Sequence, residues 1–274
     1  MKSTRLLWRT AGAIGLLSTL LFLFGFVYAV QTTLNPKPTE LGQAPAPTPQ
    51  PQQNALDSSK IQILALGDSL TKGTGDTSGK GYVERVKEGL AKDLKKEVFV
   101  WNYAVIGSTT QQLLDSLNKP GSQLPDFIKQ SNVILLTIGG NDIFRTGVNG
   151  NNILNSKGEL NIDMDSLAKN LPEATARLDK IFARIAELNP KAKIVYTMFY
   201  HPFLDVDPDR KGSKAVQDFA DAAFRSANRY SNITVVPTYD LFQQNLLKYL
   251  YNDHYHPNQE GYARMAERVR QVLE

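Results

Sequence analysis

The sequence predicts a three-layer α/β/α fold, and two observations carry that prediction. After residue 60, five short apolar, β-branched runs recur: Ile61–Leu66, Val98–Tyr103, Val133–Ile138, Lys193–Phe199 and Ile233–Val236. Amphipathic helical patterns lie between them. Strands that alternate with helices require βαβ crossovers, and hence a parallel sheet covered on both faces. One α/β domain therefore occupies residues 60–274, with no internal repeat.

The elements follow in order. After the first strand, Val83, Val86, Leu90 and Leu94 form one apolar stripe at i, i+3, i+7 and i+11, with Lys and Glu opposite. The second and third strands lead to a helix over residues 167–188, and the fourth strand to another over 215–230. The fifth strand precedes a last helix marked by Tyr262, Met265, Val269 and Val272.

Residues 1–59 differ in kind. Between Arg9 and Gln31 run 21 uncharged residues, Thr10 to Val30, long enough for a membrane-crossing helix of about 20 residues. Lys2, Arg5 and Arg9 all precede the run. The positive-inside rule keeps that end cytoplasmic and sends the rest of the chain outside. Residues 1–30 thus read as a membrane anchor or, with Val27-Tyr28-Ala29 as the cleavage site, a signal peptide. Residues 31–59 hold Pro36, Pro38, Pro45, Pro47, Pro49 and Pro51 among polar residues, the composition of a disordered linker.

Composition narrows the chemistry. The 274 residues include no cysteine, which removes disulfides, thiolate metal sites and Cys nucleophiles. Only three histidines are present: His201, His254 and His256. No metal or organic cofactor is expected. Of the formal net charge of +4, half belongs to residues 1–59, so the folded body is nearly neutral and no nucleic-acid partner is expected.

In a parallel sheet, ligands gather outside the carboxyl ends of the strands. The segments there are Gly67-Asp68-Ser69-Leu70, Ala104 to Gly107, Gly139-Gly140-Asn141-Asp142 and Tyr200-His201-Pro202. A fifth polar cluster, Asp253 to Asn258, precedes the last helix. A serine hydroxyl needs an adjacent base, and His256 can serve. Asp253, three residues earlier, can hold the imidazole in the right tautomer from the same turn. Acyl transfer also needs donors for the developing oxyanion, and the backbone N–H groups of Ser69 and Gly107 and the Asn141 amide are available. Asp68 and Asp142 read as loop-organising residues.

Four blocks in this order, Gly67-Asp68-Ser69-Leu70, Asn102…Gly107, Gly139-x-Asn141-Asp142 and Asp253-x-x-His256-Pro257, resemble those of the SGNH (GDSL) hydrolase family. The resemblance covers nearly the whole folded domain. It implies a flavodoxin-like fold with a five-stranded parallel sheet. It implies Ser69 as nucleophile, Asp253 and His256 as its triad partners, and Ser69, Gly107 and Asn141 as the oxyanion hole. The activity expected is hydrolysis of small-molecule or lipid esters by a monomer, in the manner of membrane-tethered Gram-positive acylhydrolases. Acyl transfer or deacetylation on envelope glycans, and a non-catalytic envelope binding module, are the alternatives. One departure stands out: relatives often carry Gly after the triad Asp, where this chain has His254.

Further features have weaker readings. His201 and Phe144 are candidate substrate-binding residues, with Ile153, Leu154, Phe203 and Leu204 as further apolar cleft candidates. Residues 145–163, polar and rich in Asn and Gly, are a candidate lid. The segment 70–81 holds four glycines but lacks the spacing of a phosphate-binding loop. The Gly-x-Ser-x-Gly signature of α/β-hydrolases is missing around Ser69.

Overall fold

The computed structural model describes residues 12, 15–27, 60–144 and 163–273. The chain divides into two compact units, residues 1–54 and 55–274. In the first, residues 15–27 are helical, and their large apolar side chains, Leu16, Leu20 and Phe22 among them, are exposed. Among the described residues no helix is long and apolar enough to cross a membrane. The rest of the expected anchor, and the linker over 31–59, lie outside the described residues.

In the second unit five strands form one sheet: β1 (Lys60–Gly67), β2 (Glu97–Asn102), β3 (Val133–Thr137), β4 (Lys193–Thr197) and β5 (Ile233–Val236). Their order is β2-β1-β3-β4-β5, every pair parallel. This is the flavodoxin-like order, with helices on both faces. Each predicted strand is present within two residues of its expected ends. The centre of the sheet is dry: Ile63 to Leu66 and Ile134 to Leu136 are 0% exposed.

The helices are α1 (Ser69–Lys72), α2 (Gly81–Leu94), α3 (Thr110–Asn118), α4 (Leu124–Gln130), α5 (Gly140–Phe144), α6 (Met164–Leu188), α7 (Lys211–Ala227), α8 (Tyr239–Tyr249) and α9 (Gln259–Gln271). On α2 the stripe is buried at Val83, Val86 and Leu90, but Leu94, its last residue, is exposed. The α9 stripe is likewise buried at Tyr262, Met265 and Val269, while Val272 at the C-cap is exposed. α3, α4 and α8 carry no long apolar period in the sequence. Capping defines α3, through a Thr109–Gln112 capping box, and proline near its start defines α4.

Strand order reverses between β1 and β3, which opens a crevice at their carboxyl ends. The approach there is close. Gly67 has φ +121°, and a Cβ on it would stand 1.8 Å from the Thr137 carbonyl oxygen. Only glycine lets the chain leave β1 so near β3.

Candidate active site

The turn that carries Ser69 is built by its neighbour. Asp68 caps α1, its carboxylate accepting from the Leu70 N–H at 3.0 Å and from the Thr137 hydroxyl at 2.7 Å. Behind it the Thr71 and Thr137 hydroxyls meet at 2.7 Å, and the Tyr82 hydroxyl reaches Thr71 at 3.0 Å. Burial pushes the Asp68 carboxyl up to about 7, against the pull of the Thr137 and Leu70 hydrogen bonds. Ser69 is thereby the first residue of a short helix, and its N–H is not needed by the helical ladder. Asn102 ties the end of β2 to this turn by donating to the Thr71 carbonyl at 3.1 Å.

Across the crevice, the segment Tyr251 to Pro257 brings the other polar cluster to Ser69. His256 Nε2 lies 2.8 Å from Ser69 Oγ, and His256 Nδ1 lies 2.7 Å from Asp253 Oδ2. With Nδ1–H donating to the carboxylate, Nε2 is left as acceptor for the serine hydroxyl. The other oxygen, Asp253 Oδ1, accepts from the N–H groups of Tyr255 and His256 at 3.0 and 2.9 Å. Partial burial pulls the Asp253 carboxyl upward, but the hydrogen bonds from His256 and Tyr255 outweigh it and hold the group below its ordinary value. His254 is exposed and points to no triad atom by any hydrogen bond of its side chain. Its backbone has φ +52°, the left-handed region where glycine is at ease. That is a physical reason why glycine would suit this position.

The oxyanion candidates come from two more strand ends. Asn141 opens α5 after β3 and is 4% exposed. One N–H of its amide donates to the Ser108 carbonyl at 2.9 Å, which leaves the second. Gly107 lies two residues before Thr109, the N-cap of α3. Asp142 has the structural role expected of it: its carboxylate reaches across to α3, accepting from the Thr110 N–H at 2.8 Å and the Thr110 hydroxyl at 2.6 Å.

A small pocket adjoins Ser69, lined by Asn141, Phe144, Phe199, Tyr200, Pro202 and Tyr255 with the Ser69 turn. Phe144 is therefore a wall of the pocket. His201 stands one layer behind, 1% exposed, stacked on Phe144 at 5.5 Å and bonded to Asp207 at 2.9 Å. Burial lowers its pKa, with Asp207 opposing. Phe203 packs edge-on against Phe144. Ile153, Leu154 and the candidate lid, apart from Asp163, lie outside the described residues.

Two contributors carry no local signal in the sequence. Gly75, φ +94°, lets the glycine-rich loop lie against His256. A Cβ there would stand 2.6 Å from the Pro257 carbonyl and 2.9 Å from His256 Cβ. Asp76 holds the loop from inside, taking the Ser78 and Gly81 N–H groups and the Arg85 guanidinium. In this glycine-rich loop, which lacks the spacing of a phosphate-binding loop, Gly75 thus has a packing role. The other contributor is Arg177 of α6, which bonds to Thr110 and Asp142.

A serine, a histidine and a carboxylate in line at the switch point of a parallel sheet have the arrangement of a serine hydrolase. Residues 65–264 match the GDSL-like Lipase/Acylhydrolase family, and the chain belongs to that family of carboxylic ester hydrolases. It is 33% identical over 217 residues to the uncharacterized protein YpmR of Bacillus subtilis, covering 78% of this chain and 81% of that one. It is 27% identical over 211 residues to the spore germination lipase LipC of Bacillus licheniformis, covering 77% and 95%. The crystal structure of the lipase Lip_vut3 from a goat rumen metagenome superposes with a TM-score of 0.65 at 26% identity, covering 77% of this chain and 97% of that one.

Proposed function

We propose that this ester hydrolase works through Ser69, His256 and Asp253 by a covalent acyl-enzyme. His256 takes the Ser69 proton as Oγ bonds to the ester carbonyl carbon, then gives it to the departing alkoxide as the C–O bond breaks. Water repeats the sequence and frees the acid. The N–H groups of Ser69 and Gly107 and the Asn141 amide stabilise the oxyanion. The observation that carries this reading is the continuous line from Ser69 Oγ to Nε2 at 2.8 Å and from Nδ1 to Asp253 at 2.7 Å. Ser69→Ala should lower turnover of p-nitrophenyl butyrate by about 10⁴–10⁶, and an organophosphonate should label Ser69. Near wild-type hydrolysis by Ser69→Ala overturns the reading.

The aromatic pocket, together with the likeness to the spore germination lipase of Bacillus licheniformis and to the lipase Lip_vut3, favours an ester with an apolar acyl chain, including a lipid ester. Turnover confined to acetyl esters across a chain-length series would count against that. We further place the catalytic domain outside the cell, tethered by residues 1–30, on the charge asymmetry around the 21-residue uncharged run. Fractionation tests it: full-length protein should resist carbonate extraction from membranes and be cut by external protease, and a chain lacking residues 1–30 should be soluble. Recovery of the full-length protein in the cytosol sinks the assignment.

A further inference from the structure

Oxyanion stabilisation fails if its donors drift apart, and here the two non-serine donors come from different crossovers. Gly107 lies between β2 and α3, and Asn141 follows β3. The sheet does not join these segments, because β2 and β3 sit on opposite sides of β1. Side chains make the connection instead. The Asn141 amide donates to the Ser108 carbonyl at 2.9 Å. One residue on, Asp142 accepts from Thr110 through both its N–H and its hydroxyl, at 2.8 and 2.6 Å. Arg177 closes the set from a third element, α6: Nε donates to the Thr110 hydroxyl oxygen at 2.8 Å and Nη2 to Asp142 at 3.3 Å. Thr110 and Asp142 are buried, and the Arg177 side chain is 20% exposed.

We propose that Arg177 is a positioning residue for the oxyanion hole, locking the Gly107 and Asn141 segments together through Thr110 and Asp142. It touches neither the triad nor the pocket. Its planar fork spans two partners on two segments, which the point charge of a lysine does not reproduce. The proposal rests on the reading of Asn141 as an oxyanion donor. Donors that act only in the transition state change turnover and leave substrate binding alone.

The experiment is a double-mutant cycle of Arg177→Met and Asn141→Ala, assayed on p-nitrophenyl butyrate beside Ser69→Ala. Arg177→Met should lower kcat about tenfold with KM held within twofold, and Arg177→Lys should recover little. In the Asn141→Ala background, Arg177→Met should cost clearly less than tenfold, since one of the two donors it aligns is gone. A pH profile of the same shape as wild type is expected, because the base is untouched. Full kcat in Arg177→Met, or a tenfold loss that persists unchanged in the Asn141→Ala background, overturns the proposal. So does a loss shared between kcat and KM with a lowered Tm. Activity surviving in Ser69→Ala would instead overturn the underlying mechanism, so the two failures are distinguishable.

Discussion

The two sides of the proposed catalytic crevice, the proposed base and the proposed oxyanion hole, are held in different ways. On the base side, Asp253 and His256 sit in one open turn, with side chains 39% and 15% exposed, and the hydrogen bonds Asp253 accepts from Tyr255 and His256 span two or three residues. On the oxyanion side, Asn141 and Asp142 are each 4% exposed, and their partners lie 32 to 35 residues away in the chain. The base side is thus a local motif that needs outside support only against swinging away. The oxyanion side is a junction of crossovers whose geometry exists only in the assembled fold. Chemistry agrees with this division. The base must exchange protons with substrate and water, so some exposure suits it. Oxyanion donors gain strength from a dry, fixed setting.

The largest expected effect breaks the base side outright. His256→Ala should lower turnover by about 10⁶, the loss typical of a missing general base. If His254 were the working base, His254→Ala would give that loss and His256→Ala would not. A step down in size, Asp253→Asn should cost about 10⁴, because an amide can hold the imidazole in the wrong tautomer. The Asp253 carboxyl is held below its ordinary value. Its contribution to stability is therefore present above about pH 4 and lost as the pH falls through the lowered value. The loss of stability on acidification through that range should be smaller in Asp253→Asn than in the wild type when acid unfolding is followed by circular dichroism, the lowered Asp76 and Asp240 carboxyls supplying the remainder.

Smaller still is Gly75→Ala, which tests whether the glycine-rich loop steadies the base side from without. The added methyl meets the Pro257 carbonyl and His256 Cβ inside contact distance, at a φ that alanine resists. A shift of His256 by about 1 Å should cost about 10² in kcat. Gly79→Ala, whose Cβ meets nothing within 4 Å, is the control for strain alone, since its φ is also positive. Equal losses in the two variants would remove the buttressing role.

This division also explains what was readable in the sequence. Strand positions and the buried middles of the α2 and α9 stripes are periodic properties, visible in any window of the chain. Ser69, Asp253, His256 and Asn141 stand in short blocks at strand ends, and the bonds of the base-side turn follow from spacing. Arg177 and Gly75 act on residues far away in sequence and have no periodic or motif signature, so only the assembled coordinates bring them forward. His201 shows the reverse. It follows a strand, as the site residues do, yet it faces Asp207 behind the pocket wall, because position after a strand does not fix which way a side chain turns.

The gentlest probe of the oxyanion side is Asp68, because its substitution should spare turnover and alter only stability. An asparagine keeps the oxygen that accepts from the Leu70 N–H and the Thr137 hydroxyl, so the Ser69 turn retains its cap. What changes is titration. Burial raises the folded carboxyl from 3.8 to about 7. The folded protein therefore holds a proton that the unfolded chain releases above about pH 4. The Asp68 contribution to stability therefore falls as the pH rises through this window and levels off above about pH 7. Between pH 5 and pH 8 the wild type should lose roughly 2–3 kcal/mol more than Asp68→Asn, two units at about 1.4 kcal/mol each. Urea midpoints of both proteins at the two pH values measure it. Parallel losses would mean that Asp68 is ionised throughout, and that the Tyr82–Thr71–Thr137 hydroxyls orient toward a permanent charge beneath the nucleophile.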